Sequence, residues 1–210
     1  MIRRRDFLTF SSLVAAGLFF GGAAISPAKA SGHDRGAEKF ISSMAAKALA
    51  ALSDLKVSRG ERAKRFRAIL SDYFAVKAIG RWVLGRHWRQ ATKAERKEYL
   101  CLFEDLLVAT YLDRFTRYSG ETLTVSNSVI YGKKDIMVYS QIMRTNGEPP
   151  LKVEWRVRAK GDGYKVVDVI VAGISMGQTQ RSEFASVIRQ KGGAIKGLLE
   201  ELRKRIKREA

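Results

Sequence analysis

The spacing of apolar residues changes at Gly120, and this change restricts the fold more than any other feature of the chain. Before Gly120, apolar residues recur every three or four positions, which indicates amphipathic helices. After it, apolar and polar residues alternate, which indicates strands with one dry face and one wet face. Helical spacing returns after Gly173. This order predicts an α+β domain in which helices pack over one face of a curved antiparallel sheet.

Capping residues and glycines set the predicted helix boundaries. Ser58-x-x-Glu61 and Thr92-x-x-Glu95 are capping boxes, and Gly85 and Gly120 follow the last residues of helical patterns. The predicted helices cover approximately residues 35–55, 58–74, 75–84, 92–118, 175–190 and 194–208.

Four strands are predicted between Gly120 and Gly173. Turn residues separate them at Gly132, at Asn146-Gly147 and at Gly161, and Asn-Gly is a strong hairpin signal. Connections this short predict an antiparallel meander.

The first thirty residues have the pattern of an export signal. A basic start precedes an apolar run, Leu13 to Ile25, that is too short to span a membrane, and Ala28-Lys29-Ala30 fits a cleavage site. Arg4-Arg5-Asp6-Phe7-Leu8 resembles a twin-arginine signal, and an ordinary secretory signal is the alternative. We therefore expect residues 1–30 to be a signal peptide cleaved after Ala30. Residues 31–210 would then form one domain, in the periplasm and without a membrane span.

The charge of the chain favours anionic partners. The chain has 39 Lys and Arg residues against 21 Asp and Glu residues. Residues 1–30 contain four basic residues and one acid, so the remainder still carries a net charge near +15. Lipid headgroups, nucleic acid and acidic proteins all fit such an excess, but an exported protein is not expected to bind nucleic acid.

No catalytic or cofactor-binding motif is present in the sequence. It lacks a Walker loop, a Gly-x-Gly-x-x-Gly fingerprint, a nucleophile elbow and a His-Glu-x-x-His pair. The single cysteine, Cys101, cannot form an internal disulfide, and its apolar neighbours predict a buried thiol. We therefore expect no enzyme activity, no cofactor and no metal.

Large apolar residues are numerous for so small a sheet. Two interpretations are open: they line a cavity, or they form an ordinary packed core, which is what periodicity alone favours. The aromatic members are Trp82, Trp88, Phe103, Tyr111, Phe115, Trp155 and Phe184.

Several stretches together resemble the MlaC family of periplasmic phospholipid-binding proteins, also called toluene-tolerance proteins. The resemblance covers nearly all of the chain after residue 30, although Tyr164 and Gln180 depart from the family pattern. The matching stretches are Phe74-x-x-x-x-Ile79-x-x-x-Val83-Leu84-Gly85-x-x-Trp88, Glu98-Tyr99-x-x-x-Phe103-x-x-Leu106-Leu107-x-x-Thr110-Tyr111, Val167-Asp168-Val169-x-x-x-Gly173-Ile174-Ser175 and Arg181-Ser182-x-Phe184.

This resemblance implies a monomeric lipid carrier that is not an enzyme. Its fold would be a cone similar to nuclear transport factors, with an apolar cavity between sheet and helices. It would shuttle a phospholipid between an inner-membrane ABC-type transporter complex and an outer-membrane lipoprotein complex. The sister group HpnM, associated with hopanoids, and a basic adaptor without a cavity are the alternatives. The expected cavity-lining residues are Phe74, Val83, Trp88, Phe103, Leu106, Leu107, Tyr111, Phe115, Val125, Val138, Val153, Trp155, Val157, Val169, Ile174, Phe184 and Ile188.

One acid interrupts the last apolar strand. Asp168 lies within Val-Val-Asp-Val-Ile-Val, and a buried carboxylate needs a partner. Arg181, beyond the Gly173 turn, is the candidate, so we expect a structural pair that joins the last strand to the next helix.

Overall fold

The computed structural model describes residues 34–54, 56–117 and 120–209, so the predicted signal peptide lies outside the described residues. Five helices and a 3-10 segment precede five strands, and two helices follow. The helices are α1 (Arg35–Leu52), α2 (Arg59–Tyr73), α3 (Val76–Leu84), α4 (His87–Gln90), α5 (Lys93–Tyr111), α6 (Met176–Gln190) and α7 (Ile195–Glu209). The 3-10 segment is Leu112–Arg117, and the strands are β1 (Thr122–Tyr131), β2 (Asp135–Met143), β3 (Leu151–Lys160), β4 (Gly163–Val171) and β5 (Ile174–Ser175).

Side-chain caps begin four of the long helices, and the sequence predicts two of these caps, Ser58 and Thr92. Ser58, Thr92 and Ser175 each accept a hydrogen bond from the backbone N–H three residues later. The Thr92 cap is a complete capping box, because the Glu95 carboxylate also accepts from the Thr92 N–H at 2.8 Å. Asp34 caps α1 in the same way. Because these caps satisfy donors that the helix leaves free, they fix the helix starts that the sequence predicts.

The five strands form one antiparallel sheet in the order β1-β2-β3-β4-β5. The fold class is as predicted, but the sequence indicates four strands and the structure has five. The added strand is only two residues long, too short to show an alternation. It arises because Ala172 and Gly173 both adopt positive φ, 50° and 82°, which turns Ile174 back against Val171.

Helices contact the sheet on either side of its third strand. α1 packs against β1 and β2, whereas α2, α3 and α6 pack against β4. At the β4 side, the Ala75 N–H donates to the Val166 carbonyl oxygen at 2.9 Å, so the α2–α3 junction is tied to the sheet backbone. No helix among the described residues is long and apolar enough to cross a membrane.

The centre of the helical layer is an aromatic core. Tyr99 and Phe103 of α5 stack on each other, and both meet the Phe184 ring edge-on at 6.2 and 6.4 Å. The Tyr99 hydroxyl donates to the Gly80 carbonyl oxygen at 3.0 Å, so its polar end is satisfied inside the core. α7 covers α5 with buried leucines, each contributing about 1.5–3 kcal/mol.

Cys101 is exposed, and the prediction of a buried thiol was wrong. α5 buries Tyr99 and Phe103. Cys101 is two positions from each of them, about 200° around the helix, so it lies on the opposite side despite its apolar neighbours.

Candidate functional site

The face of the sheet that packs against the helices is apolar. The cross-strand register places six of the residues that we expected at a cavity on this face: Val125, Val138, Val153, Trp155, Val157 and Val169. The valines of β2 and β3 are buried, whereas Val125, Trp155 and Val169 are half-buried. The face therefore has a dry centre and a partly open border.

On the helical side, the expected site residues divide into two sets by burial. Those inside the packed core are Val83, Phe103, Leu106, Phe184 and Ile188. Those half-buried against that core are Phe74, Leu107, Tyr111 and Phe115. The last three recur at intervals of four, which places them on one side of α5 and the 3-10 segment.

We use the name apolar wall for six half-buried residues that pack against the common core: Leu107, Tyr111 and Phe115 on the helical side and Val125, Trp155 and Val169 on the sheet. Helices pack on β4 and on β1 and β2, and Trp155 lies on β3 between those two contacts. The wall therefore includes the part of the sheet that lies between the two sets of helix contacts.

The polar atoms on this part of the sheet are paired with each other. Trp155 Nε1 donates to Ser140 Oγ at 2.9 Å, and Ser140 Oγ donates to the Val153 carbonyl oxygen at 2.7 Å. Ser140 is buried and lies between Val138 and Ile142 on one face of β2, and its polarity is the sequence signal for such a bond. Because these groups are satisfied internally, the face presents apolar surface to a ligand.

Two of the expected site residues lie elsewhere. Ile174 is exposed in the turn before α6, with 58% of its surface accessible, and does not belong to the core cluster. Trp88 contacts the core but also lines a surface concavity among arginines. Two such concavities, of about 520 and 420 Å³, open on the helical side, and no residue of the sheet lines either of them.

Asp168 and Arg181 do not form the direct pair that the sequence led us to expect; each has other partners in the described region. Asp168 accepts three hydrogen bonds, from the Val169 N–H at 2.9 Å, the Ser175 hydroxyl at 2.6 Å and the Gly177 N–H at 3.0 Å. Arg181 donates to the Trp82 carbonyl oxygen at 3.0 Å and stacks on the Trp82 ring. Two of these donors lie at the start of α6 and one on β4, and because they satisfy Asp168 an arginine is not required.

Arg62 is a buried cation that the sequence pattern does not reveal. It is 9% exposed and shares the buried side of α2 with Phe66, four residues later. Its Nε has no hydrogen-bond partner in the structure as described. Phe66 contacts Phe115 of the apolar wall, with ring centroids 5.7 Å apart. The i, i+4 spacing from Arg62 to Phe66 is the available signal.

Two ionisable groups among the described residues, Tyr99 and Asp135, each have a shifted pKa with a clear structural cause. Burial raises the pKa of Tyr99, whose hydroxyl is fixed in the core. Hydrogen bonds from Arg158 and Arg156 lower the pKa of Asp135, a buried carboxylate. No group of three or more His, Cys, Asp or Glu side chains that would hold a metal occurs within the described ranges. The apolar wall, by contrast, offers a ligand apolar contacts.

The comparisons with known proteins agree with one another. The model of the family described as MlaC protein matches residues 42–204. The intermembrane phospholipid transport system binding protein MlaC of Haemophilus influenzae is 24% identical over 126 residues, which cover 59% of this chain and 59% of that relative. A solved structure of the phospholipid-binding protein from Ralstonia solanacearum, in complex with a phospholipid, has the same fold. Its TM-score is 0.71 at 24% identity, covering 82% of this chain and 98% of that one.

Proposed function

The chain belongs to the MlaC family, and from this premise we propose that it is a carrier that holds the acyl chains of a phospholipid between its sheet and its helices. The observation that carries the proposal is the apolar wall. Its side chains are half-buried against the common core, and Trp155 lies on the strand between the two sets of helix contacts. Entering acyl chains would complete the burial of this surface.

The free energy of lipid transfer explains why such a carrier is needed. Each methylene exposed to water costs ~0.8 kcal/mol, so roughly thirty methylenes of a diacyl lipid face a barrier on the order of 20 kcal/mol. An apolar site removes most of that barrier. The headgroup stays in solvent, and no catalytic group or cofactor takes part.

We place this carrier in the periplasm, between an inner-membrane transporter complex and an outer-membrane lipoprotein complex. Two observations support the placement: the export-signal pattern of residues 1–30 and the similarity to the Haemophilus influenzae relative, an intermembrane phospholipid transport system binding protein. A monomer of residues 31–210 fits a shuttle, because each copy carries its own wall.

Mass spectrometry of organic extracts from the gently purified protein tests the proposal. We expect a phospholipid in the extract, and uptake of labelled phospholipid from vesicles by the delipidated protein. A hopanoid in the extract instead would still support a lipid carrier, but with a hopanoid rather than a phospholipid as its ligand. An empty extract together with no uptake would refute a carrier and favour a basic adaptor.

A matched pair of variants on β1 locates the site. Val125→Asp places a carboxylate on the apolar wall, whereas Thr124→Asp places one on the exposed face of the same strand. We expect the first to lose bound phospholipid and the second to retain it, with both folded by circular dichroism. Equal retention by the two variants would remove the wall from the binding site.

A further inference from the structure

A second candidate site lies away from the apolar wall. It is the concavity of about 520 Å³ on the helical side, where α3, α4 and α6 meet. Four of its eight lining residues are arginines, two are tryptophans and none is acidic. We call it the arginine–tryptophan patch; its lining residues are Ala78, Arg81, Trp82, Gly85, Arg86, Trp88, Arg89 and Arg181.

Within the part of the chain that the structure describes, the guanidinium groups of the patch have no carboxylate partners. Other arginines of the chain are paired with acids, for example Arg203 with Glu98. Among the described residues, no ion pair involves any of the four arginines of the patch. Their positive charge is therefore left for an external anion.

Aromatic rings hold part of this charge in place. The Arg181 guanidinium lies 5.2 Å from the centre of the Trp82 ring, and that of Arg81 lies 5.7 Å from the centre of the Trp88 ring. Gly85 allows the approach of Arg181, because a Cβ at this glycine would lie 3.1 Å from an Arg181 nitrogen. These guanidinium groups lose little freedom when they bind an oxyanion, which favours binding.

Trp82 identifies the kind of surface that fits. It is 42% exposed, the largest aromatic side chain exposed to this degree in the described chain, and it lies among the arginines. Tryptophan is enriched at the headgroup level of membranes, and clustered arginines attract anionic lipids. An acidic protein would satisfy the same charge, but arginines and an exposed indole in one concavity are the combination found at the headgroup level of a membrane.

We propose that the arginine–tryptophan patch docks the protein on anionic phospholipid surfaces by binding lipid phosphates. The patch shares no residue with the apolar wall, so docking is a separate activity from the carriage of acyl chains. It would bring the carrier to a membrane before any lipid is exchanged.

Flotation with vesicles of phosphatidylcholine, with and without phosphatidylglycerol, tests docking. The test variant is Arg81→Gln/Arg86→Gln/Arg89→Gln. Its control is Lys133→Gln/Lys134→Gln/Lys160→Gln, which removes the same number of charges from exposed positions in a turn and at the end of β3. We expect the wild type to bind only the anionic vesicles, less so as salt rises. If each arginine raises the affinity for anionic vesicles about fivefold, the test variant should bind them roughly a hundredfold more weakly than the control.

Several results would overturn the proposal. One is equal binding of the two triple variants to anionic vesicles. Another is equal binding of the wild type to vesicles with and without phosphatidylglycerol. A third is wild-type protein that does not bind anionic vesicles but binds an acidic protein. Inorganic phosphate should suppress vesicle binding at lower concentrations than matched chloride does. If both salts are needed at the same concentrations, the site responds to general charge rather than to phosphate, and this result would also contradict the proposal.

Two further measurements keep the test decisive. Arg86→Glu reverses one exposed charge that has no described side-chain contact, so it tests the patch even if the triple variant fails to fold. Its binding to anionic vesicles should fall at least fivefold. The phospholipid content of each variant, measured after extraction, should match the wild type. Unchanged content with lost docking separates this activity from the proposed carriage.

Discussion

The carboxylate of Asp168 is expected to stabilise the fold rather than to take part in a reaction. It is half-buried on β4 and accepts three hydrogen bonds, two of them from the start of α6. It therefore connects the last long strand to the helix whose Phe184 lies in the aromatic core. Asp168→Ala removes all three bonds at once.

The expected loss follows from the number of bonds. A hydrogen bond to a charged group contributes ~1.5–3 kcal/mol when buried, and for a half-buried acid we take about 1 kcal/mol per bond. Asp168→Ala should therefore lower the free energy of unfolding by about 3 kcal/mol. For a domain of this size the melting temperature would fall by about 6–12 °C.

Asp168→Asn is the matched control. Its Oδ1 can still accept from the backbone N–H groups of Val169 and Gly177, and its amide can donate to the Ser175 hydroxyl. Only the charge is lost, so the free energy of unfolding should fall by about 1 kcal/mol. Urea denaturation followed by circular dichroism measures both variants. Stability within about 0.5 kcal/mol of wild type for Asp168→Ala, accompanied by loss of lipid binding, would contradict the structural role.

Three further predictions concern buried contacts. Arg158 and Arg156 lower the pKa of Asp135, so its ionised form stabilises the fold above pH ~4, and this stabilisation is lost as the pH falls further. The difference in unfolding free energy between wild type and Asp135→Asn, measured by urea denaturation, should therefore shrink below pH ~4. A difference that stays constant with pH would contradict this prediction. Gly177→Ala places a methyl group 2.9 Å from an indole carbon and should lower the free energy of unfolding by about 1–3 kcal/mol, whereas a higher urea midpoint would mean that helix propensity dominates. Arg62→Met removes an unpaired buried Nε and should raise the unfolding free energy of the lipid-free protein by about 1 kcal/mol; a lower melting temperature would show that the guanidinium has a stabilising partner.

Local signals in the sequence predict most of the fold. The caps at Ser58 and Thr92 and the glycine at position 85 place the helix ends within a few residues, because a cap needs a particular side chain or backbone angle at one position. The alternation after Gly120 gives the two faces of β2 and β3, because successive side chains on a strand point to opposite faces. It fails after Val125 in β1 and at Val167 in β4, because a β-bulge shifts the register at each of these points.

Features that depend on tertiary partners are not predictable in this way. The two-residue β5 has no periodicity, and its pairing depends on the turn at Gly173. Asp168 was recognised as an acid in need of partners, but backbone donors of α6 are invisible in a sequence pattern. Arg62 lies on the buried side of a helix whose other arginines are more exposed, and a charged residue there breaks the rule from which the pattern is read.

The apolar wall shows the same limit. The sequence identifies Trp155 and Tyr111 as large apolar residues, but periodicity gives the same answer for a packed core and for a ligand site. Their intermediate burial, which only the structure provides, is what separates them from Phe103 and Phe184. The arginine–tryptophan patch likewise combines residues from three helices, and Arg181 lies about a hundred positions after Trp82 in the sequence.

Asp34 and Tyr164 meet although 130 positions of sequence separate them, and this separation restricts the order in which the chain can fold. The Tyr164 hydroxyl donates to the Asp34 carboxylate at 2.9 Å, and the same carboxylate caps α1. The Asp34 N–H also donates to Ser128 on β1. The first helix therefore cannot reach its final position until β1 and β4 have been synthesised. Contacts of such long range slow folding, and a growing chain would keep its amino-terminal segment undocked until nearly complete.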